Sequence, residues 1–254
     1  MLDPAEAAAV AAQFGVADLQ VRRDHLLSHL LAVLSTQAAE HVVFWGGTAL
    51  ARTHLPDGRL SEDLDLLSTG RRHDAAAALE AVLAVGVRRE YGRLTWDPPL
   101  RAVHGAQPAV LRSSDGMVVR VQLLDPAGYP PWPTETRSLV QRYADVRPAR
   151  LAVPTRPAFV AAKTMAWHDR GEPRDLYDLW GLAQIGAIDP DSAAMFARWG
   201  PTGKAPRKWM FERPPAAADW QTQLGGQTRI AVDPDTAAKD VWAAWQRTVR
   251  SAGR

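Results

Sequence analysis

Apolar and polar positions change period several times along the chain. From Asp18 to about Leu34 the apolar residues include Leu19, Leu26, Leu27, Leu30 and Leu34, a spacing that predicts a helix. Val42 to Trp45 is a short apolar run, which predicts a strand ending at Gly46-Gly47. Asp63 to Leu67 alternates acidic and apolar residues and predicts a second strand. Asp74 to Val85 is Ala-rich, with Leu79, Val82 and Leu83 on one helical face. Arg88 to Trp96 and Ala109 to Leu124 read as strands, broken by Gly92, Pro98-Pro99 and Asp115-Gly116. Prolines at 126, 130, 131 and 133 close this part, and Pro148, Pro154 and Pro157 punctuate the way into the next. Beyond about Ala158 the pattern turns helical: Phe159 to His168, Arg174 to Ile185, a helix after Asp189-Pro190, and a last one from about Pro234 to Val249. The expected fold class is therefore α/β. An N-terminal core with a small mixed sheet (residues 1–150) precedes a mainly helical C-terminal domain (residues 151–254).

Composition narrows the picture. Apolar content of 46% over 254 residues is ample for a packed core, and no run approaches the ~18–20 apolar residues of a membrane span. Met1 to Glu6 is acidic and does not read as a signal peptide; Asp3 and Glu6 read as a capping box, with Pro4 at the first helical position. The absence of cysteine excludes disulfides, thiolate chemistry and Cys-ligated zinc. Net charge is +2 and the isoelectric point about 9.1, compatible with an RNA substrate without requiring one. His25 and His29 are four apart on one helix, but no Glu or third ligand accompanies them in sequence, which argues against zinc. Seven of the ten tryptophans fall beyond residue 158, where helix packing accounts for most of them. Lys204, Arg207, Lys208 and Arg213, interleaved with Trp209 and Phe211, read either as a nucleic-acid-binding stretch or as a solvated loop with an aromatic anchor.

Candidate chemistry concentrates in two places. The first is Asp63 and Asp65, which face the same side of a strand. Two carboxylates side by side, with no obvious basic partner in sequence, are costly unless a cation sits between them, and a hard oxygen-preferring ion such as Mg²⁺ suits them. Upstream, Gly46-Gly47-Thr48 forms a turn whose backbone can approach a ligand closely, with Thr48 expected to cap a helix from about Ala49 to His54 and so build a phosphate cradle. Phosphate cradle plus carboxylate pair reads as metal-assisted phosphoryl or nucleotidyl transfer. The second place is Lys163 with Arg170, Arg174, Asp175 and Asp178.

These motifs carry a resemblance. Gly46-Gly47-Thr48-Ala49-Leu50, then Arg52, then Arg59-Leu60-Ser61-Glu62-Asp63-Leu64-Asp65-Leu66, resembles the AbiEii/AbiGii group of bacterial nucleotidyltransferase toxins within the DNA polymerase β-like superfamily. The second anchor is similar to that family's Lys, Arg and Arg-Asp-x-x-Asp-Leu segment, at Lys163, Arg170, Arg174, Asp175 and Asp178. The resemblance implies a nucleotidyltransferase core followed by a helical domain that completes the active-site cleft. It implies transfer of a nucleoside monophosphate from an NTP to an acceptor hydroxyl, with Mg²⁺ or Mn²⁺ held by Asp63 and Asp65. Gly46, Gly47 and Thr48 would hold phosphate. Lys163 would neutralise the triphosphate, and Asp178, or else Asp175, would act as base or orient Lys163. It further implies a cytoplasmic bacterial toxin paired with a separately encoded antitoxin, without a membrane partner, that modifies the 3′ end of tRNA and so blocks translation and growth.

The family's third metal-binding carboxylate has no plain counterpart. Gln122 stands mid-strand where an acid is expected, and Asp125 falls near the strand end. Arg52 and Arg59 read evenly as phosphate contacts or as partners of Glu62 or Asp57. Arg174 and Asp178 have the spacing of a helix-surface ion pair, and Asp175 suits a first helical turn. Two further readings stay open: transfer to a protein or small-molecule hydroxyl, and a non-catalytic nucleotide- or RNA-binding module.

Overall fold

Residues 1–105 and 107–252 are described by the computed structural model, in two units that part after Pro154. In chain order the first unit holds α1 (Pro4–Phe14), α2 (Asp18–Gln37), β1 (Val42–Trp45), α3 (Gly46–Ala51), β2 (Asp63–Ser68), α4 (Arg72–Gly86), α5 (Arg88–Tyr91), β3 (Thr95–Trp96), β4 (Ala109–Arg112), β5 (Val118–Leu124), β6 (Thr134–Ser138) and β7 (Arg150–Pro154). The second holds α6 (Arg156–Arg170), α7 (Pro173–Gln184), α8 (Pro190–Trp199), α9 (Ala217–Leu224) and α10 (Pro234–Ala252).

The main sheet runs β1-β2-β5-β4-β3. Only β2 and β5 are parallel; the other neighbours are antiparallel, so the sheet is mixed. Phe44, Leu64, Leu66, Val121 and Leu123 are buried on one face, towards α2 and α4, whereas Trp45, Asp63, Asp65, Arg120 and Gln122 lie on the other. This division follows from the period-two alternation of strands. β6 and β7 form a separate hairpin, and β7 packs beside β1.

α2 is buried on all sides from Leu26 to Leu34, as expected of a helix inside a core rather than one with a single apolar stripe. Leu19, one of its apolar positions, is exposed. Polar residues on α2 are also buried and bonded. Asp24 Oδ1 accepts from Arg52 Nη2 at 2.7 Å, and Asp24 Oδ2 accepts from the Tyr143 hydroxyl at 2.9 Å. Arg52 also donates to Ser28 Oγ (2.8 Å) and to the Val140 carbonyl (2.9 Å).

Other local expectations need correction. Arg88 to Tyr91 is a helical turn, not a strand, and only Thr95–Trp96 pairs in the sheet. Asp3 caps α1 by accepting from the amides of Ala5 and Glu6, but the Glu6 carboxylate accepts from Ala144 N instead of completing a capping box. The hairpin β6–β7 arises from a proline-punctuated, polar stretch without a strand-like pattern.

In the second unit, α6, α7, α8 and α10 pack around Phe159, Leu176, Leu179, Phe196 and Trp245. α8 opens with a capping box between Asp189 and Ser192. Trp167, Trp220 and Trp245 are buried and Trp180, Trp199 and Trp242 half-buried, whereas Trp209 is 54% exposed.

Candidate active site

The turn between β1 and α3 is welded to the start of β2. Gly46 has φ of 75°, a left-handed backbone that favours glycine. A β-carbon there would lie well inside contact distance of Asp65 Oδ2, so the carboxylate rests directly on the glycine backbone. At Gly47 a β-carbon would stand 2.5 Å from Arg59 Nη2. The Thr48 hydroxyl donates to the backbone carbonyl of Asp63. This differs from the expected cap: α3 begins already at Gly46, with Trp45 in the N-cap position, and Thr48 ties turn to strand instead. Gly46, Gly47, Thr48, Arg59, Asp63 and Asp65 are thus one local assembly.

Register places the neighbours. Asp65 stands opposite Trp45 on β1 and opposite Gln122 on β5; Asp63 stands opposite Arg120. The Arg120 guanidinium is 3.9 Å from Asp63 Oδ1, a basic neighbour that sequence inspection did not reveal, because it comes from a strand more than fifty residues away. Gln122 occupies the in-register place beside Asp65. Asp125 lies beyond the end of β5, is exposed, and accepts from Ala127 N at 2.9 Å to cap the following turn. It does not stand beside Asp63 or Asp65 in the strand register.

Trp45, Tyr129 and Trp132 form an aromatic group, with ring centroids 6.4 Å and 6.3 Å from Trp45. Sequence reading passed over it. The signal that finds it is the pairing of Trp45 with Asp65, which puts an indole on the carboxylate face of the sheet.

Arg52 is placed elsewhere. It is 1% exposed and bound by Asp24, Ser28 and Val140, and neither Glu62 nor Asp57 is the partner seen; Glu62 pairs with Arg23 at 2.9 Å and Asp57 accepts from Gln13 at 2.8 Å. Its surroundings are those of a structural cation.

In the second unit Lys163, on α6, is buried against α7. Its Nζ is 2.7 Å from Asp178 Oδ2 and 3.1 Å from Asp175 Oδ1. Arg170 closes the group, donating from Nε to Asp175 Oδ2 at 2.6 Å and from Nη2 to Oδ1 at 2.9 Å. Burial by itself raises the Asp175 carboxyl, but Lys163 and Arg170 outweigh it and hold the group down to about 2. Asp178 faces Lys163, the helix-surface spacing to Arg174 notwithstanding.

The carboxylate face suits a hard divalent cation. Two acidic groups share one face at alternate positions, Asp63 is partly open to solvent, and their donor atoms are all oxygen.

Comparison with known proteins settles the family. Residues 29–247 match the nucleotidyl transferase AbiEii toxin family of type IV toxin–antitoxin systems. This chain belongs to that family. It is a nucleotidyltransferase toxin, which implies an NTP substrate and an antitoxin partner. In overall fold it is similar to MenT4, a nucleotidyltransferase toxin from Mycobacterium tuberculosis H37Rv, with a TM-score of 0.74 and 21% identity over 98% of this chain and 90% of that one. A search of curated proteins finds no match. Among the described residues no helix is long and apolar enough to cross a membrane.

Proposed function

We propose that this AbiEii-family enzyme transfers a nucleoside monophosphate from an NTP to the 3′-hydroxyl of tRNA, using Asp63 and Asp65 to hold Mg²⁺ or Mn²⁺. The observation that carries this reading is the contact of the Asp65 carboxylate with the Gly46 backbone, which joins an acidic pair to a side-chain-free turn. When bound there, the cation would supply Lewis-acid charge for the α-phosphate and the attacking hydroxyl.

The chain's own residues supply the rest. The absent side chains at Gly46 and Gly47 let Asp65 and Arg59 pack directly on the turn, and the Arg59 guanidinium beside Gly47 adds a fixed positive charge for phosphate. Thr48 holds the turn and β2 in one register through the Asp63 carbonyl. The 3′-hydroxyl loses its proton to solvent and its oxygen bonds to the α-phosphorus, while the bond from that phosphorus to the α,β-bridging oxygen breaks and pyrophosphate leaves. Lys163 is assigned the neutralising charge for the triphosphate, with Asp178 and Asp175 orienting its ammonium. Arg52 is reassigned from phosphate contact to the buried Asp24 network.

An RNA acceptor is favoured by Lys204, Arg207, Lys208 and Arg213, all exposed, with the exposed Trp209 among them. Such a stretch fits a phosphate backbone and an unstacked base. Family membership leaves the binding-only reading without support, while a protein or small-molecule acceptor is distinguished by experiment. Induction of the wild-type chain without its antitoxin is expected to arrest growth, and Asp65→Ala to relieve the arrest at equal expression. A fully toxic Asp65→Ala variant would defeat the mechanism.

A further inference from the structure

α2 presents two imidazoles to the segment that joins β6 to β7. His25 and His29 are buried, one turn apart, with their Nε2 atoms 3.3 Å from each other. Asp145, from that joining segment, points at both: Oδ1 is 2.9 Å from His25 Nε2, and Oδ2 is 3.7 Å from His29 Nε2. The ligating atoms of all three side chains lie within 4.8 Å of one another. Sequence reading found the two histidines but not the third group, because Asp145 is 116 residues beyond His29.

These spacings match a metal's first shell. Ligands about 2.0–2.1 Å from a tetrahedral zinc stand about 3.3 Å apart. The two imidazole nitrogens are at that separation, and the two carboxylate distances fall on either side of it. We propose that His25, His29 and Asp145 form a site for a divalent transition metal, zinc foremost, which clips α2 to the β6–β7 connection and shares no residue with the Asp63–Asp65 pair.

The surroundings favour ligation. His25 Nδ1 is hydrogen-bonded to the Tyr91 hydroxyl, which is also 3.4 Å from the Arg22 carbonyl. With Nε2 on a metal in place of its hydrogen bond to Asp145, Nδ1 would carry the proton and donate to the Tyr91 hydroxyl, and the phenol would donate to the Arg22 carbonyl. That is the second-shell arrangement typical of a metal-bound histidine. Burial and the neighbouring His25 both lower His29, which favours the neutral ring that a metal needs. Partial burial raises the Asp145 carboxyl, but hydrogen bonds from the Met1 amino group and His25 bring it to about 2, so it is an anion at neutral pH. The Met1 amino nitrogen, 2.8 Å from Asp145 Oδ2, competes for that oxygen. A cavity of about 400 Å³, lined by His25, Tyr91, Glu90 and the Arg22–Asp115 pair, lies on the His25 side of the group.

Zinc chloride titrated into chelator-stripped full-length protein, followed by calorimetry and thermal unfolding, tests this. The wild type should take one zinc ion per chain and gain melting temperature. Asp145→Asn, with an unchanged circular-dichroism spectrum, should lose stoichiometric binding, and Tyr91→Phe should weaken it by about 10–100-fold. A double Asp63→Asn, Asp65→Asn variant should keep its zinc, which separates this site from the acidic pair. Cobalt(II) in the wild type should give the intense visible absorption of tetrahedral nitrogen–oxygen ligation, a readout that needs no variant. No zinc in the wild type, undiminished zinc in a folded Asp145→Asn, loss of zinc in the double variant, or a colourless cobalt sample would each overturn the proposal.

Discussion

Gly46 carries two constraints that no other residue type meets together: a left-handed φ of 75° and the Asp65 carboxylate on its Cα. Gly46→Ala should therefore cost about 1–2 kcal/mol for the backbone alone. It should also push Asp65 off the turn, so that nucleotide transfer falls far more than the melting temperature does. Wild-type transfer with Ala at this position would show that the contact has no bearing on chemistry. At this scale the sequence was most informative about motifs and least about partners. Asp63, Asp65 and the glycine turn stand out because the signal is local. The roles of Arg52 and of the two histidines, and the basic neighbour of Asp63, do not, because Asp24, Asp145 and Arg120 reach their partners only through the fold.

Elements were legible where periodicity was strong. β1, β2, α6, α7 and α10 fall within a few residues of their expected limits and α8 follows Asp189 as expected, whereas α9 was not expected. α5 was read as strand because four residues carry too little pattern to show a period, and the β6–β7 hairpin was hidden by polar residues and prolines. The α6–α7 pair offers an element-level prediction. Asp175 bonds Lys163 and Arg170 of α6 from the first turn of α7, at no solvent exposure. Its carboxyl lies at about 2 in the fold, below the ordinary value near 3.9. A depressed carboxyl contributes stability that is present above the unfolded value and is lost as pH falls through the folded one. Asp175→Asn should thus cost about 3 kcal/mol at neutral pH, a breakage of a buried pair. The gap between variant and wild type should close as pH drops from about 4 to about 2. Urea unfolding over that range checks it; a gap that persists at pH 2 would point to packing rather than charge.

For the whole molecule, the mixed sheet buries one face against α2 and α4 and leaves the carboxylate face to the Gly46–Gly47 turn, Arg120, Gln122 and Trp45. The fold class was readable from the strand–helix order, whereas the sheet order β1-β2-β5-β4-β3 was not. That order puts Gln122, already marked from sequence as standing where an acid was expected, in register beside Asp65. Family membership makes the chain a nucleotidyltransferase toxin, and the assignment of chemistry to Asp63 and Asp65 on tRNA is the central claim. Its most direct test incubates the purified full chain with Mg²⁺, total tRNA and each α-labelled NTP in turn, beside an Asp65→Ala control, and resolves the RNA on a denaturing gel. The account predicts label on tRNA with the wild type and at least one NTP, and none with an Asp65→Ala protein that melts at the wild-type temperature. Unlabelled tRNA with every NTP, or equal labelling by the variant, would contradict it.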